Sequence, residues 1–361
     1  MRQTAKWRIG DSGFHDLEFA RAPLLCHLGD GRRVVRWMSV GMPKVKQDLA
    51  DTTFYLYAPD TRANHCDGLV GPKGTGFFIS RPYVKHLSYR HVYAVTNCHV
   101  ATRGASIIRI NLIGGGTRTI EFAPSDWQFI PKADDVCVVD VTEELDYEKD
   151  QVQAWPEEDF ISEAFVAERQ IGFGDDVFML GMFADSAGDE RNVPAARFGN
   201  VARMATAAAP IEQYNGALRP CHLADMRSRG GFSGSPMFLY RTPDADLTHM
   251  DFQNGSFIRL GGPTNLFVGL FGVHCGQFPE KSPLSKSKGE AVIQEGDMLN
   301  MPSGMTYVAP AWVISQILDR PVFEESRMLR ERKNKGSSAP IPEDAPPLPT
   351  KADTKTSGTV R

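Results

Sequence analysis

From Asp51 onward the chain is built of short apolar or alternating runs, each ended by Gly, Pro, Asn or Asp. TTFYLYA, TGFFIS, HVYAVTN, SIIRINLI, TRTIEFA, DVCVVDV, DVFMLGMF, RFGNVARM, SPMFLY and LFVGLFGVH follow one another in this way. Side chains on a strand alternate between two faces, so runs of this length bounded by turn formers predict an all-β protein of many short strands. Helical periodicity is scarce. Its clearest case is AWVISQIL (311–318), which follows Pro310 and predicts one C-terminal helix.

About a dozen strands are more than one small barrel needs, which predicts two barrels or sandwiches in series. The polar, acidic stretch 142–168 (with EELDYEKDQ and PEEDF) is the natural joint, dividing a first β-barrel (49–150) from a second with the terminal helix (151–325). Residues 1–48 read as an N-terminal extension holding one strand at RRVVRWMSV (32–40). Segments 241–263 and 279–304 read as loop insertions. Residues 326–361 turn basic and then rich in Pro, Ser and Thr, which predicts a disordered C-terminal tail.

With 42% hydrophobic and 23% charged residues and a formal charge of -4, the composition is that of a soluble globular protein. It gives no reason to expect nucleic acid or an anionic membrane as partner. The first residues lack the apolar core of a secretory signal, and the most apolar stretch (265–275) is too short to span a bilayer. The expectation is a cytoplasmic protein. Six cysteines occur without C-x-x-C or C-x-x-H spacing, and Cys98 and Cys137 sit within apolar runs. Buried thiols are expected, with no metal and no cofactor.

Three segments suggest chemistry. In GGFSGSP (230–236) glycines flank Ser233 just before an apolar run, which permits a tight bend that presents the serine. The amides of Gly231 and Ser233 could then point into one cavity as an oxyanion hole; a plain Gly/Ser turn is the alternative. A serine hydroxyl needs a base within reach, and His99 stands where VYAVTNCHV gives way to a polar turn. Asp135 opens the buried-looking run DVCVVDV, where a charge needs a partner; a turn-forming Asp is the other reading, and Asp134 offers the same.

VTNCHV, DDVCVVDV and GGFSGSP, in that order, resemble the His, Asp and Ser motifs of trypsin-like (chymotrypsin-fold) serine peptidases, most nearly HtrA/Deg-type proteases and glutamyl endopeptidases. GTGFFIS (74–80) is similar to the strand before the histidine motif, and MTYVAPAWVISQIL (305–318) to the closing strand and helix. The likeness spans residues 51–320 and implies a chymotrypsin-like double β-barrel with a Ser233–His99–Asp135 triad. His99 and Asp135 are 36 residues apart, and Asp135 and Ser233 are 98 apart, which suits a pair on one barrel and the nucleophile on the other. Only about 40 residues follow the helix, so the PDZ domain of HtrA-type proteases is not expected.

The resemblance further implies a specificity element. His274 in VGLFGVHCG stands where peptidases selecting Glu or Gln carry a histidine, and Ser228 stands where they offer a hydroxyl. Arg227 and Arg229 add positive charge. The expected function is therefore a serine endopeptidase acting on proteins or peptides through an acyl-enzyme, preferring Glu, Asp or Gln at the cleaved position. The alternative is a catalytically silent binding module on the same fold; a regulatory partner protein fits either.

Overall fold

The structure is a computed structural model and describes residues 21–27, 33–39, 45, 47–59, 69–83, 89–183, 188, 190–213, 216–241, 250–253, 256–259, 267–283 and 298–334. The chain divides into two compact units, Met1–Lys46 and Gln47–Arg361. In the first, β1 (Arg21–His27) and β2 (Arg33–Ser39) form an antiparallel hairpin with Arg21 opposite Ser39. The extension thus holds two strands where one was expected. RAPLLCH lacks clear alternation and carries a proline, so only its pairing with β2 identifies it as a strand.

The second unit opens with a helical turn, α1 (Gln47–Ala50), and β3 (Thr53–Pro59), β4 (Leu69–Pro82) and β5 (Arg90–Thr96). The one-turn helix α2 (Cys98–Ala101) follows, then β6 (Ile107–Asn111), β7 (Thr117–Ile120) and β8 (Cys137–Asp140). These strands pair in the order β7-β6-β3-β4-β5-β8, and the short β9 (Trp155–Pro156) adds to β4 in parallel. Strands β7 and β8 do not pair with each other. Gln128, in the segment between them, instead bridges to Val138 on the open side of β8, and Trp127 beside it is buried at 1% exposure. An irregular segment rather than a strand ladder thereby closes the first barrel around Phe54, Leu56, Phe78, Ala94, Ile108 and Val139.

The acidic joint carries a short 3-10 turn and α3 (Glu163–Arg169), capped by Ser162 Oγ accepting from the Phe165 amide. Next come β10 (Asp176–Gly181), β11 (Ala195–Arg203), the small hairpin β12 (Ile211–Glu212) and β13 (Leu218–Arg219), then β14 (His222–Asp225) and β15 (Pro236–Arg241). A second small hairpin, β16 (Met250–Gln253) and β17 (Ser256–Arg259), precedes the long β18 (Phe267–Pro283) and β19 (Met298–Pro310). Strands β10-β11-β14-β19-β18-β15 form a closed barrel around Val177, Met179, Phe232, Leu239 and Phe271. The result is an all-β, chymotrypsin-like pair of β units with C-terminal helices. Of residues 279–304, read from sequence as a loop insertion, 279–283 and 298–304 instead extend β18 and β19, pairing from Pro279 with Pro302 to Pro283 with Met298, and 284–297 lie outside the described residues. The other expected insertion, 241–263, holds the β16–β17 hairpin.

Both faces of the first sheet are covered. Tyr55, Tyr57 and Ile107 cluster with Met182 of the second barrel, and Tyr93 meets Phe323 edge-on at 5.4 Å. Phe323 belongs to α5 (Pro321–Asn334), which follows α4 (Trp312–Leu318). The chain is therefore helical to Asn334, well past residue 326 where an unstructured tail was expected. The basic residues that suggested a tail anchor the helix instead. Arg330 pairs with Asp140 at 3.0 Å, and Arg327 donates to the Leu318 carbonyl at 3.0 Å. Residues 335–361 lie outside the described residues. Among the described residues, no helix is long and apolar enough to cross a membrane.

Candidate active site

β5 ends at Thr96 and the chain turns at once into α2, which holds His99 at the rim of the first barrel. Its ring is partly exposed, at 16%. Asp135 precedes β8 by two residues and is 1% exposed. One carboxylate oxygen of Asp135 accepts the His99 main-chain amide at 3.0 Å, and the other meets His99 Nδ1. A carboxylate is acceptor-only, so the neutral ring carries its proton on Nδ1 and keeps Nε2 as its acceptor nitrogen. Two further groups hold Asp135. Asn97 Nδ2 donates to its carbonyl at 2.8 Å, and its amide donates to Gln213 Oε1 at 3.4 Å. Asn97 itself is fully buried and also reaches Cys275 Sγ of the second barrel at 3.5 Å.

Asp134 has a different partner. Burial raises its pKa, while Arg219 at 3.2 Å works in the opposite direction. Of two adjacent aspartates, Asp135 faces His99 and Asp134 faces the β12–β13 hairpin.

Ser233 lies in the turn before β15. Phe232, the residue before it, is wholly buried in the second barrel's core, an anchor worth about 1.5–3 kcal/mol. Gly231 and Gly234 on either side adopt φ of 98° and 84°, the left-handed region that glycine enters without strain. The Gly234 amide donates to the His274 carbonyl, and the His274 amide to the Ser235 carbonyl, both at 2.9 Å. Neither the Gly231 nor the Ser233 amide donates to a protein acceptor among the described residues, while Phe232 donates to the Arg229 carbonyl at 3.3 Å. The turn also docks on the first barrel. The Thr75 amide donates to the Ser233 carbonyl at 2.9 Å, and a Cβ on Gly234 would lie 3.2 Å from the Asn97 amide. The serine turn is thus seated against the start of the helix that carries His99.

His274 and Ser228 are both buried, at 2% and 6% exposure. Burial holds the His274 imidazole down at about 4, with His99 adding to the effect and the Phe232 carbonyl opposing it, so the ring is neutral near pH 7. Among the described residues, neither His274 ring nitrogen nor Ser228 Oγ makes a hydrogen bond of ordinary geometry. The Ser228 carbonyl accepts from Gln277, three residues beyond His274 on β18. Arg227 is exposed, and among the described residues no hydrogen bond or ion pair ties it to this group. Arg229 lies over the Phe183 ring at 5.8 Å, and Arg197 over the rings of Phe183 and Phe232.

The structure therefore brings His99 and Asp135 into direct contact, seats the Ser233 turn beside them, and lays His274 along that turn. It leaves Arg227 apart. Thr75, Asn97, Gln213 and Cys275 complete the surroundings and were not foreseen. Asn97 and Thr75 lie inside VTNCHV and GTGFFIS, but only their long-range partners give them a role. Burial pushes the Cys275 thiol well up, so it sits as a neutral group close to Asp135.

No family model matches the chain, and no curated protein matches it significantly. Among solved structures it is similar to the Rv3671c protease of M. tuberculosis in its active form, at 16% identity over 74% of this chain and 80% of that chain, with a TM-score of 0.38. An inactive form of Rv3671c carrying a serine-to-alanine mutation is similar at 16% identity over 81% and 90%, TM-score 0.37. A further inactive form of the protease is similar at 15% identity over 74% and 88%, TM-score 0.36.

Proposed function

We propose that this chain is a serine endopeptidase with Ser233 as nucleophile, His99 as general base and Asp135 as the group that orients the histidine. The observation that carries the reading is the doubly held carboxylate. Asp135 takes both the His99 amide and Nδ1, which leaves Nε2 as a base at the rim where the serine turn docks. In this reading His99 Nε2 takes the Ser233 proton as Oγ attacks a peptide carbonyl. The amides of Gly231 and Ser233, which have no acceptor among the described residues, receive the developing oxyanion. His99 then protonates the leaving amine, and water clears the acyl-enzyme by the same base.

The preference we propose at the cleaved position is Glu, Asp or Gln. Buried polar atoms are nearly always hydrogen-bonded, yet among the described residues both His274 nitrogens and Ser228 Oγ find no partner of ordinary geometry. A neutral imidazole N–H and a hydroxyl suit a substrate carboxylate or amide, and a site left unpaired by an apolar side chain discriminates strongly.

A fluorophosphonate probe and a peptide library test both levels. The full chain should be labelled at Ser233 and Ser233→Ala should not; labelling that survives the change refutes the nucleophile. Wild type should cleave after acidic or Gln residues and His274→Ala should lose that preference, whereas a profile indifferent to these residues removes the specificity reading alone.

A further inference from the structure

Thr75 on β4 is fully buried, and every hydrogen-bonding group it has is engaged. Its amide donates to the Ser233 carbonyl at 2.9 Å. Its hydroxyl donates to the Gly231 carbonyl at 2.7 Å and accepts the Met182 amide at 2.8 Å. Its own carbonyl accepts from Thr96 Oγ1 at 2.7 Å, three residues before His99. One residue of the first barrel thus grips the second barrel's turn at two carbonyls that bracket Phe232, and is itself held by the strand that leads to His99.

We propose that Thr75 is a positioning residue, whose hydroxyl fixes the Gly231 peptide so that the Gly231 and Ser233 amides converge on one oxyanion; this rests on the serine-hydrolase reading above. Gly231 has φ of 98° and no side chain, so its own geometry does not decide where its N–H points. The Phe232 amide is held only by a 3.3 Å bond to the Arg229 carbonyl. What fixes the rotation about the Gly231 Cα–C bond is the carbonyl's tether to Thr75 Oγ1. The hydroxyl is well suited to this because its single proton must go to Gly231. The Met182 N–H already occupies the oxygen as a donor, so the hydroxyl cannot reverse its direction. Preorganised donors are effective only when they need not turn during the reaction, and a tether from a rigid strand supplies that fixity.

The test is the second-order rate constant for labelling of Ser233 by a fluorophosphonate, whose phosphoryl oxygen occupies the oxyanion position. It is measured on the full chain for wild type, Thr75→Ser, Thr75→Val and Thr75→Ala. Outright loss of one oxyanion donor costs about 10²–10³ in rate, and here the donors remain but lose their aim. We expect Thr75→Val and Thr75→Ala to label about 10–100-fold more slowly and Thr75→Ser within about threefold of wild type. The pH at which labelling is half-maximal should not move, since the His99–Asp135 contact is untouched; a merely structural role would not separate these readouts. If Thr75→Val does not fold, the comparison of Ser with Ala decides the same point. Equal rates for wild type and the Ala or Val variant overturn the proposal, as does a Ser variant as slow as Ala. A wild type that does not label at all overturns the hydrolase reading itself, and this inference with it.

Discussion

Gly234→Ala should weaken the docking of the two barrels as well as strain the backbone, and the two effects can be separated. At φ of 84° an alanine pays about 1–2 kcal/mol for the left-handed conformation. Gly174, at φ of 85° with open space around it, carries the same strain and nothing more, so Gly174→Ala is the control. At Gly234 the new methyl would lie 2.1 Å from the Thr75 carbonyl oxygen and 2.3 Å from Thr96 Oγ1. Both atoms belong to ladder-bound strands of the first sheet, so the serine turn must retreat, by about 1 Å if ordinary contact distances are restored. Overpacking of this kind costs about 1–3 kcal/mol. The expected losses are about 2–5 kcal/mol for Gly234→Ala and about 1–2 kcal/mol for Gly174→Ala. Urea denaturation of the full chain reads both as shifts of midpoint at constant slope. A 1 Å displacement of reacting groups costs about 10²-fold in rate, so fluorophosphonate labelling should fall by that factor in the first variant and stay near wild type in the second. If the two variants differ by less than about 1 kcal/mol and label alike, the turn is not wedged against the first barrel and the docking argument fails.

Burial holds His274 down at about 4 and His222 at about 3, below an ordinary 6.5. The unfolded chain takes up protons that the folded chain refuses, so their contribution is intact above pH 6.5 and shrinks as pH falls, by about 3 kcal/mol for His274 once pH reaches 4 and about 5 kcal/mol for His222 once it reaches 3. Urea midpoints should drop steeply between pH 7 and pH 4.5, and less steeply in His222→Gln; identical slopes would show that His222 does not drive the loss. Asp135→Asn keeps the size of the side chain but offers His99 Nδ1 the wrong partner, and should slow labelling by about 10⁴-fold with folding retained; a loss under tenfold would remove Asp135 from its role. Arg241 is 3% exposed, pairs with both carboxylate oxygens of Asp175 and caps the Arg169 and Gln170 carbonyls, so Arg241→Met should cost about 3–5 kcal/mol by thermal or urea unfolding. A change below 1 kcal/mol would show that the methionine packs as well as the ion pair.

Strand runs were readable because alternation and turn formers act over a few residues. TGFFIS lies within β4, which starts earlier at Leu69, DVFMLGMF became β10 with little displacement, and AWVISQIL became α4 after Pro310. The Ser233 turn was readable for the same reason, since flanking glycines and a following apolar run are local signals. The extended β18–β19 hairpin was not. PEKSP (279–283) has no apolar alternation and is strand only because it pairs with MLNMP (298–302). Helix α5 was likewise hidden, because its arginines are surface charges in sequence and anchors only once Asp140 and Leu318 stand beside them.

By itself, then, the sequence determined the all-β class, the approximate strands and the three segments on which chemistry could be built. Tertiary structure alone decided the partners. Asp134 and Asp135 have the same chemistry and the same neighbours in the chain, yet one meets Arg219 and the other His99. Thr75 is an unremarked residue of a strand until the Gly231 carbonyl, 156 positions away, comes within 2.7 Å of its hydroxyl. Hydrogen bonds between such distant residues leave no periodicity or spacing in the chain, because they form only where the two barrels pack against each other.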